Sequence, residues 1–153
     1  MTPSSRFKAL GLVLPPPPAP IANYVPYVID GDLLYLSGQG QREADGSLRT
    51  GKVGRDVGID RAYDDARLTG LNLLAVIQSA LSDLDRVRRI VKLLGMVNAV
   101  PDFAYHPKVI NGCSDLLIDV FGDNGRHARS AVGFGSLPGN ITVEIEAIVA
   151  IRT

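Results

Sequence analysis

Cysteine, histidine and tryptophan are nearly missing from this sequence, with one cysteine, two histidines and no tryptophan among 153 residues. The lone thiol, Cys113, cannot close an internal disulfide, and His106 and His127 by themselves leave no cluster with metal-ligand spacing. No metal site is expected, and a reducing, cytoplasmic setting fits. An excess of either charge is lacking too, since 16 lysines and arginines balance 16 aspartates and glutamates. No overall positive field then draws the chain to nucleic acid or to an anionic membrane. The longest early apolar run, residues 9 to 14, falls short of a signal core and far short of a bilayer span. The patterns G-x-G-x-x-G, G-x-x-x-x-G-K-[ST] and G-x-S-x-G are missing as well. That removes the usual support for nucleotide binding and for serine-hydrolase chemistry.

What is present is an ordinary globular mixture, 46% hydrophobic and 21% charged, at the length of one domain. Residues 14 to 20, LPPPPAP, lack too many amide donors for a helix or a sheet interior and are expected as an extended connector. Residues 1–20 then form an extension and residues 21–153 the domain. The segment YVPYVIDGDLLYLSGQ reads as two strands around Asp30-Gly31-Asp32, a turn suited to positive φ. Residues 40 to 55 are glycine-rich and polar and read as a loop. From about Val57 to Leu84, Ala62, Ala66, Gly70, Leu73, Ile77, Ala80 and Leu84 recur at steps of three and four, the stripe of a long helix. Arg61, Asp65, Arg67, Gln78 and Asp85 mostly fall off that stripe.

Residues 89 to 100 are apolar on both faces and predict a central strand. A second helix is expected from Pro107 to Phe121, with Val109, Cys113, Leu116 and Val120 buried and Gly122 at its stop. On that stripe Cys113 reads as a small core residue rather than a nucleophile. Two last strands, residues 129 to 136 and 141 to 151, flank a proline-glycine turn. The order strand, strand, helix, strand, helix, strand, strand predicts an α+β fold, a mixed sheet with two helices on one face.

If the last two strands form a hairpin centred on Pro138-Gly139, Gly133 lies opposite Glu144 and Arg129 opposite Ile148. The period of two then puts Arg129, Ala131, Gly133, Glu144 and Glu146 on one face. Such a face is either the wet side of an antiparallel sheet or, if a second subunit covers it, a place where charges must be paired or functional. An arginine suits bidentate capture of a carboxylate, and a glutamate can orient or deprotonate water. Along the strand the two groups stand on the order of 13 Å apart, a gap that a site shared with a neighbouring subunit would relieve.

The residues resemble the RidA/YjgF, or reactive intermediate deaminase, family. The match lies in ARS at Ala128 to Ser130, SLP after it and VEIEAI at 143 to 148, with IANYV at 21 to 25, YLSGQ at 35 to 39, DFA at 102 to 104 and ING at 110 to 112 in the family's order. It covers roughly residues 21 to 151. The resemblance implies a chorismate-mutase-like fold assembled as a homotrimer, with the sheets forming a barrel and clefts between subunits. It implies hydrolysis of reactive enamines and imines, such as 2-aminoacrylate and 2-iminopropionate, to 2-keto acids and ammonia, with no metal or organic cofactor. By position, Arg129 resembles the family arginine that holds the substrate carboxylate and Glu144 the glutamate that positions water. Tyr24, Ser37, Gly38 and Asn111 resemble residues that line the cleft, and the backbone at Gly38 and Ala131 is expected to help bind the nitrogen end. His127, Ala131 and Ala22-Asn23 depart from the family's usual residues and mark a divergent subgroup.

Two functions follow. One is an imine deaminase acting on a small carboxylated imine, and the other a non-catalytic protein that binds a carboxylated metabolite such as a keto acid in the same cleft. A ribonuclease, a label sometimes attached to the family, is disfavoured by balanced charge and by only 6% aromatics.

Overall fold

A computed structural model describes residues 1–19 and 22–153 of the chain. Helix α1 (Pro3–Ala9) precedes a hairpin of strands β1 (Tyr27–Asp30) and β2 (Leu33–Gln39), in which Gly31 takes a left-handed φ of 63° at the turn. Helix α2 (Ile59–Leu81), strand β3 (Val87–Asn98), helix α3 (His106–Phe121), strand β4 (Ala128–Phe134) and strand β5 (Val143–Ile151) complete the chain. The five strands form one mixed sheet in the order β1-β2-β5-β3-β4, parallel only between β3 and β4. This is the α+β fold expected from the element order.

Helices α2 and α3 bury small residues against each other and the sheet. Of the expected stripe on α2, Ala62, Ala66, Gly70, Leu73, Ile77 and Leu84 are buried, whereas Ala80 is partly exposed. Gly70 sits against Cys113 and Leu116, Gly95 of β3 against Ile110, and Gly112 directly against the backbone carbonyl of Tyr63. These glycines let two helices and a sheet approach to backbone contact. Asp65, read as an outward residue, is instead fully buried. The loop over residues 40 to 55 folds across that flank of α2, where Arg49 pairs with Asp65 at 3.1 Å and Thr142 donates to it at 2.6 Å. A charge buried in this way needs both partners.

The final two strands do not form a hairpin. β4 pairs in parallel with β3, setting Arg129 beside Leu93 and Gly133 beside Val97. β5 inserts between β2 and β3, setting Glu144 beside Met96 and Ala147 beside Leu93. The apolar Val143, Ile145, Ala147 and Val149 explain the choice. In the middle of the sheet they are buried, and both backbone edges of β5 are paired, while the exposed β4 is left at the edge. Residues directly opposite share a face, so Arg129, Ala131 and Gly133 lie with Leu93, Gly95 and Val97 on the helix-covered side. Glu144 and Glu146, opposite Met96 and Leu94, lie on the other side. The expected common face of arginine and glutamates is thereby overturned.

Sequence reasoning also missed α1, although Thr2-Pro3 is a helix-start signal. Thr2 Oγ1 accepts from Ser5 N at 3.1 Å, and proline occupies the first turn. Ser4 N donates to Asp85 Oδ1 at 2.7 Å, and Phe7 packs on the main core. Residues 14 to 19 have no regular secondary structure. Pro20 and Ile21, where the extended stretch was expected to end and the domain to begin, lie outside the described residues. Among the described residues no helix is long and apolar enough to cross a membrane.

Gly112→Ala gains helix propensity but places a methyl group on the Tyr63 carbonyl, which as backbone cannot rotate away. At a fixed protein concentration the variant is expected to lose about 3 kcal/mol of stability in chemical denaturation. A loss below about 1 kcal/mol would contradict this account of the helix contact.

A candidate site divided across the sheet

A bulge in β2 builds one half of the site. Leu36 pairs with Ala147 but Gln39 with Ile145, so three steps on β2 match two on β5. The extra residue inverts the alternation of the strand: Leu34 and Leu36 point inward before it, Gln39 and Gln41 after it. Ser37 and Gly38, at the bulge, both face a cleft. Ser37 Oγ donates to Val25 O at 2.6 Å and its backbone N to Pro26 O at 3.0 Å, which ties down the segment bearing Tyr24. Glycine at 38 leaves room for the Glu144 carboxylate, since a Cβ there would stand 2.5 Å from Glu144 Oε2 and displace that side chain.

The cleft has a volume of about 480 Å³ and is lined by Tyr24, Ser37, Gly38, Arg42, Pro138 and Glu144. Glu144 is half-buried on its wall. Burial, and secondarily the negative charge of Glu146 two residues on, hold its carboxyl above the ordinary value of 4.5. A carboxyl group so placed is suited to exchange protons with a bound molecule.

The other half lies at the outer edge of the sheet. Arg129 on β4 donates from Nη1 to Ser114 Oγ at 2.9 Å and from Nη2 to Pro107 O at 3.3 Å, both on α3. Ser114 Oγ stands 2.8 Å from His127 Nε2, and His127 Nδ1 stands 2.6 Å from Gly125 O. A carbonyl only accepts, which assigns the ring proton to Nδ1 and leaves Nε2 to accept from the serine. The guanidinium is therefore steadied by a serine whose own proton is committed to a neutral imidazole. Burial, more than the nearby positive charge of Arg129, pushes the His127 pKa below 6.5, and the Gly125 carbonyl opposes the shift. Cys113 is fully buried and its thiol pushed up to about 12 by burial, consistent with a core residue.

Of the seven residues expected from sequence, the structure brings Tyr24, Ser37, Gly38 and Glu144 into one cleft. Arg129 and Ala131 lie two strands away from Glu144, beyond β3, and on the opposite face of the sheet. Asn111 lines a separate surface groove with Asp60, Tyr63 and Lys108 between α2 and α3. Sequence reasoning missed Arg42 in the cleft and Ser114 behind Arg129. The alternation signal that could have found Arg42 is broken by the bulge. Among the described residues no group of three or more His, Cys, Asp or Glu is placed to hold a metal ion.

Residues 4–147 match the family described as "YjgF/chorismate_mutase-like, putative endoribonuclease". The chain is 48% identical to the protein Atu1372 of Agrobacterium tumefaciens, whose crystal structure aligns with a TM-score of 0.89 over 99% of this chain and 94% of that one. It is 42% identical over 150 residues to Protein TCP17 of Trypanosoma cruzi, covering 97% of this chain and 94% of the relative. It is also 29% identical over 136 residues to a 2-iminobutanoate/2-iminopropanoate deaminase of Dermatophagoides farinae, covering 88% and 91%.

The hydrogen-bond chain behind Arg129 makes a specific demand on His127. In an NMR titration its imidazole is expected to protonate with a midpoint below 6.5, the ordinary value from which burial lowers it. The folded state disfavours the charged ring, so the contribution of His127 to stability is present above pH 6.5 and is lost as pH falls through the lowered midpoint. A midpoint above 6.5 would contradict the neutral acceptor assigned to Nε2.

Proposed function

The chain belongs to the RidA/YjgF family, and from that premise we propose that it is an imine deaminase, hydrolysing reactive 2-imino acids of the 2-iminopropionate type to 2-keto acids and ammonia. The observation that carries this reading is the half-buried Glu144, its carboxyl raised by burial and facing a cleft that Gly38 keeps open. Glu144 takes a proton from water as the water oxygen bonds to the imine carbon. It returns that proton to the nitrogen, then takes the hydroxyl proton as the carbonyl forms, the carbon–nitrogen bond breaks and ammonia leaves. The protonated imine is already electrophilic, so the step asks for neither metal nor organic cofactor.

Arg129 holds the substrate carboxylate in this reading, and it does so from a second copy of the chain. Within one chain it lies on the wrong face and at the far edge of the sheet. β4 is an edge strand, so its outward backbone, including that at Ala131, is free to meet a neighbour. The open face of the sheet carries a groove in which Val28, Tyr35, Leu94 and Ile148 stand beside Lys92 and Glu146. Closing three such sheets into a barrel covers that groove and sets the edge of one subunit against the cleft of the next, which supports a homotrimer. Tyr24 and Ser37 shape the cleft, and Asn111 has no step in this scheme. The substrate class and the balanced charge fit a protein of the cytoplasm that guards metabolism against reactive intermediates.

The test generates 2-iminopropionate in place with an amino-acid oxidase and follows its hydrolysis. Glu144→Gln is expected to lower kcat by about a hundredfold. Arg129→Ala is expected to raise KM, lowering kcat/KM by about tenfold or more. Glu144 must be ionised to accept the water proton. The acid limb of the rate profile should therefore lie above the ordinary 4.5, and Glu146→Gln should move it down. A folded oligomer that binds pyruvate without consuming the imine would overturn the deaminase and leave a metabolite-binding protein.

A further inference from the structure

The cleft that holds Glu144 also holds a cation that the scheme above leaves unused. After the bulge the buried side chains are Gln39 and Gln41, while Gly38, Gly40 and Arg42 line the same cleft as Glu144. The backbone at Arg42 is fixed. Asn72 Nδ2 donates to the carbonyls of Gly40 and Arg42 at 3.2 Å each, and Arg42 bridges to Leu48 across a turn closed by Asp45 and Ser47. Its neighbour Arg49 is committed to Glu43 and Asp65. The Arg42 guanidinium makes no ion pair and no side-chain hydrogen bond among the described residues, although it lines a cleft whose other charge is a carboxylate. At about 480 Å³ the cleft has far more room than a three-carbon acid fills.

We propose that Arg42 is a specificity-determining residue that binds a second carboxylate, so that the preferred substrate is the 2-imino acid of an acidic amino acid. The inference rests on the deaminase reading and deepens it. One carboxylate of such a dicarboxylate meets Arg129 of the adjoining subunit and the other meets Arg42, leaving the imine carbon between them beside Glu144. Without Arg42 the second carboxylate would face Glu144 unpaired. With an apolar tail in its place, the guanidinium would lose water and gain no partner.

The experiment compares 2-iminoglutarate, made in place from glutamate by a glutamate oxidase, with 2-iminopropionate, using wild type, Arg42→Gln and Arg42→Lys. Wild type is expected to favour 2-iminoglutarate in kcat/KM by about tenfold or more, the discrimination of one charge-assisted contact. Arg42→Gln should cut that ratio to near parity, and Arg42→Lys should restore part of it. An equal loss on both substrates, or a wild-type preference for 2-iminopropionate, would overturn the assignment. If wild type consumes neither imine, the deaminase reading fails separately, and calorimetric titration with the stable keto acids then decides. Tighter binding of 2-oxoglutarate than of pyruvate, lost in Arg42→Gln, sustains the role of Arg42, and equal binding of the two overturns it.

Discussion

Parallel neighbours in a sheet cannot be joined by a tight turn, and the pairing of β3 with β4 governs the rest of this molecule. The chain must leave β3, cross the sheet as α3 and return at the outer edge as β4. It must then pass back over the end of β3 to reach the vacant position between β2 and β3. Asn98, the last residue of β3, pins that return. Its Nδ2 lies within hydrogen-bonding distance of Gly51 O, Asn140 Oδ1 and Ile141 O, and its Oδ1 accepts from Lys52 Nζ at 2.9 Å. Lys52 also donates to Gly135 O, at the start of the crossing segment. This route puts Arg129 at the rim over α3 and Glu144 near the middle of the opposite face.

The two separated groups sit in contrasting electrostatic settings. Glu144 lies half-buried beside another carboxylate, which favours its proton-holding form. Arg129 is steadied by neutral partners, a serine hydroxyl and a backbone carbonyl. Among the described residues no carboxylate pairs with it, so its positive charge stays available to an anion. Each half is left incomplete in a way the other would satisfy, and a second copy of the chain is the simplest means of joining them.

Much of the fold was legible in the sequence because it depends on local periodicity. The stripe on α2, the stop at Gly122 and the β1–β2 turn at Gly31 all follow from spacing and from backbone freedom at glycine. The partners of β4 and β5 were not legible. Both strands could pair with each other across Pro138-Gly139, and only the competition for the buried central position decides against it. That one error carried the face of Arg129 with it, since a residue's side of a sheet depends on register and not on the residue itself. Asp65 was misplaced for a related reason: a loop remote from it in sequence covers the flank of α2 that periodicity alone marks as wet. Ser114 and His127, thirteen positions apart, meet through the α3–β4 connection, which no local pattern encodes.

The division of the site between chains is tested most directly by mixing two impaired variants, Arg129→Ala and Glu144→Gln, and assaying them at substrate well below KM. Co-refolded in equal amounts, they form oligomers in which some clefts take an intact arginine from one chain and an intact glutamate from its neighbour. Random assembly is expected to restore about a quarter of wild-type imine hydrolysis. Verified mixed oligomers that recover nothing would contradict a site shared between subunits.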